Sequence, residues 1–549
     1  MKKTFKTIFS AMMIGCATAG QAQNWTSAIE EATPIGGGAC TPLDATTSGI
    51  NYMGGYFSGS VIFGATTISS SGGSDAFLMK FTTSGGASWV TKISGTGADA
   101  IKKVESMGAD VLVYGTSATS SATFYSTNGA STTIPSLGGA FLARYNSSGV
   151  LVWAVPYAAN VADMAYTSSS GRLYTIGADA GSPNKTRIRS VKVATGAVLY
   201  DVLSTNTGLS TTNKGIAADA SNHCYILVDG RTDFKLPSSS SIALSTTALD
   251  MVLMKLDTNL TYQAHLKIGN SGTTNETAKD VDCSSAGDVY ITGTYESGTT
   301  YMDGVGTGTV NLSNGGGIDL FLAKYNTSLA PQWAKSISGT GGDIPLALSL
   351  DPNSDPFLLA QNKQYNTVVI EPCYLTPYVS VSGAFDNKWY MVKYIRATGD
   401  VDWSATPLVM DPNALPIAVQ GQNGAGNIFG YSSMQTDFGS YSAYGGSFIY
   451  LARATKLICK PAVVTGIEEG EQGNTLSVYP NPTKGEFIIP ITKDDINVSI
   501  SMVDNMGKQV LNLNDVKNGK INIEHLANGI YFYTIHKNGN AYRGKIVKE

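Results

Sequence analysis

Ile318-Asp319-Leu320-Phe321-Leu322-Ala323-Lys324-Tyr325 is a short apolar run that ends on a lysine and an aromatic ring. Its length suits a buried strand better than a helix. The pattern returns as Phe77-Leu78-Met79-Lys80, Phe141-Leu142-Ala143-Arg144, Ile188-Arg189-Ser190-Val191-Lys192, Val252-Leu253-Met254-Lys255, Tyr390-Met391-Val392-Lys393 and Tyr450-Leu451-Ala452-Arg453. A second aromatic position recurs at Trp25, Trp89, Trp153, Tyr200, Tyr262, Trp333 and Trp403, spaced by 64, 64, 47, 62, 71 and 70 residues. A third recurs around Tyr52, Tyr114, Tyr174, Tyr225, Tyr290, Phe357 and Phe429. Each unit reads as four short strands. Seven such units predict an all-β chain folded as a seven-bladed β-propeller. The phase of the repeat adds a closing device. The first unit opens on a Trp strand, Asn24–Ile29, and the last ends at Tyr450–Arg453 without one. The N-terminal strand is therefore expected to complete blade seven, which removes two exposed sheet edges.

Composition agrees with a turn-rich β-protein. The chain has 549 residues, 61 of them glycine, and only 14% are charged, against about 25% in an average soluble chain. With 42% hydrophobic residues a large core can be buried, so disorder is excluded. A net charge of -4 gives no basic face, so nucleic acid is not an expected partner.

The two ends are different material. Lys2, Lys3 and Lys6 precede the apolar run Ile8–Ala19, and Gly20-Gln21-Ala22 offers small residues before a cut. Residues 1–22 thus read as a secretory signal peptide, the run being too short to span a bilayer. A lipid-bearing Cys16 is the weaker alternative, because Met13 stands where such motifs favour leucine. No transmembrane segment is expected in the mature chain. Its cysteines, Cys40, Cys224, Cys283, Cys373 and Cys459, show no CxxC pair, so no zinc site is expected. A Cys40–Cys459 bridge is one pairing among several. At the other end, 17 of residues 471–549 are charged, or 22%, against 13% before them. Residues 461–475 read as a linker after a propeller spanning 23–460. Residues 476–549 alternate like seven short strands of a small Ig-like β-sandwich.

That tail contains Tyr479-Pro480-Asn481-Pro482-Thr483-Lys484-Gly485-Glu486-Phe487, then Val503-Asp504-Asn505-Met506-Gly507-Lys508, Leu526-Ala527-Asn528-Gly529-Ile530-Tyr531 and Gly544-Lys545-Ile546-Val547-Lys548-Glu549. In order, these resemble the motifs of the C-terminal sorting domains of the type IX (Por) secretion system of Bacteroidetes. The resemblance implies export through the inner membrane and then across the outer one. It implies two partners, the secretion machinery and a peptidase that removes the tail, and a final place at the cell surface or outside the cell. Its motif positions here are Pro480, Asn481, Pro482, Gly485, Gly507, Gly529, Tyr531, Lys545 and Lys548. The repeats themselves are similar to the bacterial seven-bladed propeller repeat family, through strings such as Ser74–Lys80 and Gly287–Gly293. That likeness implies a fold and no activity.

Candidate chemistry is sparse. His223 and His265 read as packed or hydrogen-bonded residues. No Gly-x-Ser-x-Gly elbow or His-Glu-x-x-His motif occurs. No catalytic residue and no metal or other cofactor is assigned. Asp75, Asp250, Asp319, Asp99, Asp280 and Asp343 recur at unit boundaries and read as turn caps. Asp351-Pro352-Asn353-Ser354-Asp355 could be a calcium loop, but a tight turn explains it better. Long connections within blades four, five and six are where binding is expected. The candidate ligand-binding rings are Tyr365, Tyr374 and Tyr378, with Tyr295 and Tyr301, although packing of the loops onto their own blades explains such rings more readily. The expected function is non-catalytic binding or adhesion to an extracellular glycan or protein. The alternatives are an Asp/Glu hydrolase or lyase acting on polysaccharide, and a structural surface component.

Overall fold

A computed structural model describes residues 25–455 and 476–549, except 31, 47–50, 83–85, 159, 207–211, 270–273, 297–298, 303–309, 314–316, 338–341, 364–368, 371–378, 381–387, 406–414, 423–424, 433–435, 439–440, 444–447, 493–494, 496–497, 505–507 and 539. The signal segment at 1–22 and the linker at 461–475 lie outside the described residues. The chain divides into two units, Met1–Ile458 and Cys459–Glu549.

The first unit is a β-propeller. Its sheets are up-and-down and antiparallel, in the order of the chain. The fifth, for example, runs Glu276–Cys283, Val289–Tyr295, Asp319–Tyr325 and Pro331–Ile337. The innermost strands are Ala32–Ala45, Asp99–Met107, Asp163–Thr167, Thr212–Ala218, Glu276–Cys283, Gly342–Leu350 and Leu415–Gln422. The sheets they open are called blades one to seven. The sheet begun by Leu415–Gln422 takes its outer strand from Trp25–Glu30, which pairs antiparallel with Phe448–Thr455. Successive innermost strands touch, and Ala32–Ala45 contacts both Leu415–Gln422 and Phe448–Thr455.

Face-to-face stacking explains the repeat. A middle strand such as Asp319–Tyr325 is covered on both sides, and six of its seven residues are buried. It therefore reads as a continuous apolar run rather than an alternating one. Each core cluster joins neighbours. Tyr225 and Leu253 of blade four pack with Val289 and Phe321 of blade five. Phe57 and Phe77 of blade one pack with Phe429 and Leu451 of blade seven.

The motif lysine, tyrosine and tryptophan are stitches between blades. Lys324 stands opposite Tyr290 and Trp333 in its own sheet. Its ammonium lies 5.5 Å from the centre of the Tyr290 ring. Lys324 Nζ and Trp333 Nε1 then donate to the carbonyl of Arg396, in the last turn of blade six, at 3.4 and 3.1 Å. Tyr290 donates its hydroxyl to Ser354 O of the same blade at 3.1 Å. Lys80 and Trp89 both donate to Ser147 O, at 2.9 and 3.1 Å. Each stitch satisfies a turn carbonyl that the sheet leaves unpaired.

The long connections are built of two-stranded ribbons rather than open loops. Asp233–Phe234 pairs Ile242–Ala243 in blade four, and Thr299–Tyr301 pairs Asn311–Ser313 in blade five. Phe234, Leu236, Ile242 and Leu244 are buried against Ile188 and Val252, so this ribbon adds to the core.

The second unit is also all-β among the described residues. A sheet ordered Gln509–Leu513, Ser499–Val503, Gly529–Lys537 and Asn540–Lys548 faces a short pair, Glu486–Ile488 with Lys520–Asn522. Phe487, Ile500, Ile521, Tyr533, Ile535 and Ile546 form its core.

Candidate functional site

The innermost strands of the propeller enclose a cavity of about 840 Å³. Its wall is charged. It carries Asp44, Glu105, Asp163, Asp280 and Asp282, with Lys103, Lys214 and Lys279. One rule places the acids. An innermost strand is paired on one edge only, so its outward N–H groups need acceptors. Asp44 accepts from Val104 N, Glu105 from Tyr166 N, Asp163 from Ile216 N, Asp280 from Leu348 N and Asp282 from Leu350 N, all at 2.9 Å. Every one of these donors belongs to the next blade.

Asp280 and Asp282 use the other oxygen on the following residue of their own strand, at 2.9 Å to Val281 N and 2.7 Å to Cys283 N. The neighbouring N–H groups of Ala45 and Met164 pull the Asp44 and Asp163 carboxyls downward in pKa, against their burial. The inner strands bulge here, at Pro42/Asp44 and at Ala278/Asp280, which turns the carboxylates toward the channel. Glu105 has one main-chain donor, Tyr166 N.

The acids line the channel yet are ringed by protein. Burial pushes Glu105 well up, and pushes Asp44, Asp163 and Asp280 upward against the pull of Lys103. Asp282 is pushed up to about 7, again by burial. Lys103 is held charged, by Asp44 first and then by Asp163, whose Oδ1 lies 3.9 Å from its Nζ. Lys279 is lowered by burial. Among the described residues no three His, Cys, Asp or Glu side chains are grouped to hold a metal.

The ring candidates read from the sequence are not brought together. Tyr365, Tyr374 and Tyr378 lie outside the described residues, as do Cys373, Cys459 and Gly507. Tyr301 lies in a ribbon strand. Tyr295 is corrected: it ends the second strand of blade five, fully buried against Phe321 at 6.4 Å between ring centres. It is a core residue and presents no surface to a ligand.

The histidines are hydrogen-bonded, His223 Nδ1 to Asp219 at 2.9 Å and His265 Nδ1 to Tyr262 at 2.8 Å. Asp351 accepts from Asn353 N and Asp355 N, both at 2.9 Å, and Asp355 binds Lys393 at 2.7 Å. That segment is a tight turn. Asp280 is not a turn cap, because its partner is the neighbouring blade. Sequence reasoning missed the channel acids. Their only local signal is a single acid near an inner strand, in a different sequence context each time.

In the second unit the motif residues converge. Asn481 donates through Nδ2 to Lys545 O at 2.8 Å, and its Oδ1 accepts from Val547 N at 2.9 Å. Asn481 is flanked by Pro480 and Pro482, both preceded by cis peptide bonds. Lys548 is 8% exposed and reaches Asn528 Oδ1 at 3.2 Å. Tyr531 donates to Ala527 O at 2.7 Å. Gly485 has φ +147°, and a Cβ there would meet Glu524. The first motif is thus fastened onto the last strand.

The fold and this clasp define an all-β propeller carrying a small β-domain at its C-terminus. Residues 477–549 match the secretion system C-terminal sorting domain family, so the chain is cargo of type IX secretion, exported to the cell surface or the extracellular space. No helix among the described residues is long and apolar enough to cross a membrane. No curated protein matches the sequence. Among solved structures, one in a mitotic checkpoint complex is 9% identical, over 82% of this chain and 98% of that one, at TM-score 0.38. The Dos1 propeller is 8% identical over 78% and 94%, at 0.37. YCF48 bound to D1 peptide is 10% identical over 79% and 96%, at 0.34. At these scores the likenesses carry no statement about function.

Proposed function

We propose that this is an exported binding propeller, which holds an extracellular glycan at its charged channel and does not turn it over. Residues 1–22 act as the signal peptide, and the type IX machinery and its peptidase act on 476–549. The observation that carries the binding reading is the commitment of the channel carboxylates. Asp280 and Asp282 each hold main-chain N–H groups with both oxygens, and Asp44 and Asp163 each hold an N–H of the next blade. A general acid or base must instead be free to exchange a proton with substrate. Fixed carboxylate lone pairs and lysine ammonium groups around a wet cavity suit sugar hydroxyls. Lys279, the exposed one of the three channel lysines, is the group best placed to contact the ligand.

One observation favours the hydrolase or lyase reading. Glu105 is held by one N–H and its pKa is raised well above the usual carboxylate range, as a general acid requires. Binding of the mature chain to a glycan panel, with product analysis on the same glycans, separates the two. Binding lost in Lys279→Ala supports the channel site. Binding lost in Tyr365→Ala/Tyr374→Ala and kept in Lys279→Ala moves the site to the blade-six connection. Turnover lost in Glu105→Gln establishes an enzyme.

A further inference from the structure

Large hydrophobic side chains are exposed at eleven places among the described residues, and five of these lie in the second unit, although the first is much the longer. Two of the five, Ile530 at 48% and Phe532 at 37%, share the strand Gly529–Lys537. That strand lies inside its sheet, between Ser499–Val503 and Asn540–Lys548. Its side chains alternate. Tyr531, Tyr533 and Ile535 enter the core, so Ile530 and Phe532 point outward. The register sets Val503 and Lys545 beside Phe532, and Val547 beside Ile530. Cross-strand partners share a face, so these point outward too. Val503 and Val547 are half-buried and stand outside the core cluster. An antiparallel sheet packed on one face is normally polar on the other. Here four contiguous apolar side chains occupy that outer face, with Lys545 at their border.

Three separate sequence motifs meet in this patch. Val503 opens the second motif, Ile530 belongs to the third with Phe532 just after it, and Val547 belongs to the fourth. Other motif residues serve the fold itself. Tyr531 and Lys548 are buried, and Asn481 commits its amide to Lys545 O and Val547 N, which fixes the last strand. Those side chains build the domain and are not offered to a partner. The outward apolar face between them is offered, and a contiguous exposed apolar surface marks a protein-contact site.

We propose that the face formed by Val503, Ile530, Phe532 and Val547 is where the export machinery holds the chain, through an apolar surface of its own. The family match supplies the occupant: residues 477–549 are a sorting domain, and the secretion machinery is the partner a sorting domain implies. The proposal rests on that reading of the tail and adds to it the side chains that are read. A second copy of this chain and a structural contact within the chain are the competing occupants.

The test is export of the full chain in a type IX-competent host, read by fractionation and protease shaving, with the chain lacking 476–549 as the reference for no export. Ile530→Thr/Phe532→Thr removes the apolar face and keeps residues that favour strands. It should lower the exported fraction at least roughly tenfold, as loss of an interface hot spot does, and leave the chain in the periplasm. The Tm of the purified variant should stay at the wild-type value. Ile530→Val/Phe532→Leu should export normally. So should Leu513→Thr, which removes a side chain 40% exposed but set opposite the core residue Ile500. The proposal is overturned if the threonine pair is exported like wild type, if its lost export is matched by a lowered Tm, or if the valine–leucine pair fails as well. It is equally overturned if gel filtration finds the wild type dimeric and the threonine pair monomeric. Export of the chain lacking 476–549 would overturn the reading of the tail itself, and this proposal with it.

Discussion

Gly399 shows how a stitch constrains a single residue. Its φ is +72°, and a Cβ there would lie 2.6 Å from the indole of Trp333 on the preceding blade. Gly399→Ala should destabilise by about 1–3 kcal/mol, from backbone strain and the displaced ring, measured by urea unfolding. Asp282 makes a prediction in pH. Its folded pKa, about 7, stands above the unfolded carboxylate value, which is about 4. The folded state therefore binds the extra proton, and stability falls as pH rises from about 4 through 7. Asp282→Asn should flatten that slope in melts across the same range. Neither residue announces this role in the sequence. The glycine reads as an ordinary turn, and the aspartate differs from a turn cap only by the blade to which its partner belongs.

Strands and their stitches were the most legible element. Lysine, tyrosine and tryptophan recur because each blade needs the same donors for the turns of the next, so repetition in space is written as repetition in sequence. Trp333→Phe removes the donor to Arg396 O and should cost about 1–3 kcal/mol. Tyr290→Phe removes only the hydroxyl donated to Ser354 O and should cost about 0.5–1.5 kcal/mol. Unfolding curves of the two variants, compared under one condition, check the order as well as the sizes. Connections were less legible. Tyr295 was placed at a loop edge because strand ends are poorly marked, yet one or two residues decide whether a ring faces the core or the solvent. The ribbons within the long connections pair only two or three residues a side, too few to leave a pattern.

At the scale of the whole molecule, the legible part was the division of labour. A charge-poor repeat unit and a more charged C-terminal domain differ in composition, and ordered motifs identify the second as an export signal. Deleting 476–549 should leave the propeller in the periplasm of a type IX-competent host, read by fractionation and protease shaving of cells. The channel was not legible. Asp44, Glu105, Asp163 and Asp280 come from four blades and converge only when the sheets assemble around a common axis. Their convergence gives a charged cavity, and their commitment to main-chain N–H groups argues for holding over cutting. The most direct measurement is therefore a glycan-panel assay that reads binding and product on the same sample of mature chain. The account predicts saturable binding, weakened by Lys279→Ala, with no product. Accumulation of product that Glu105→Gln abolishes would contradict it.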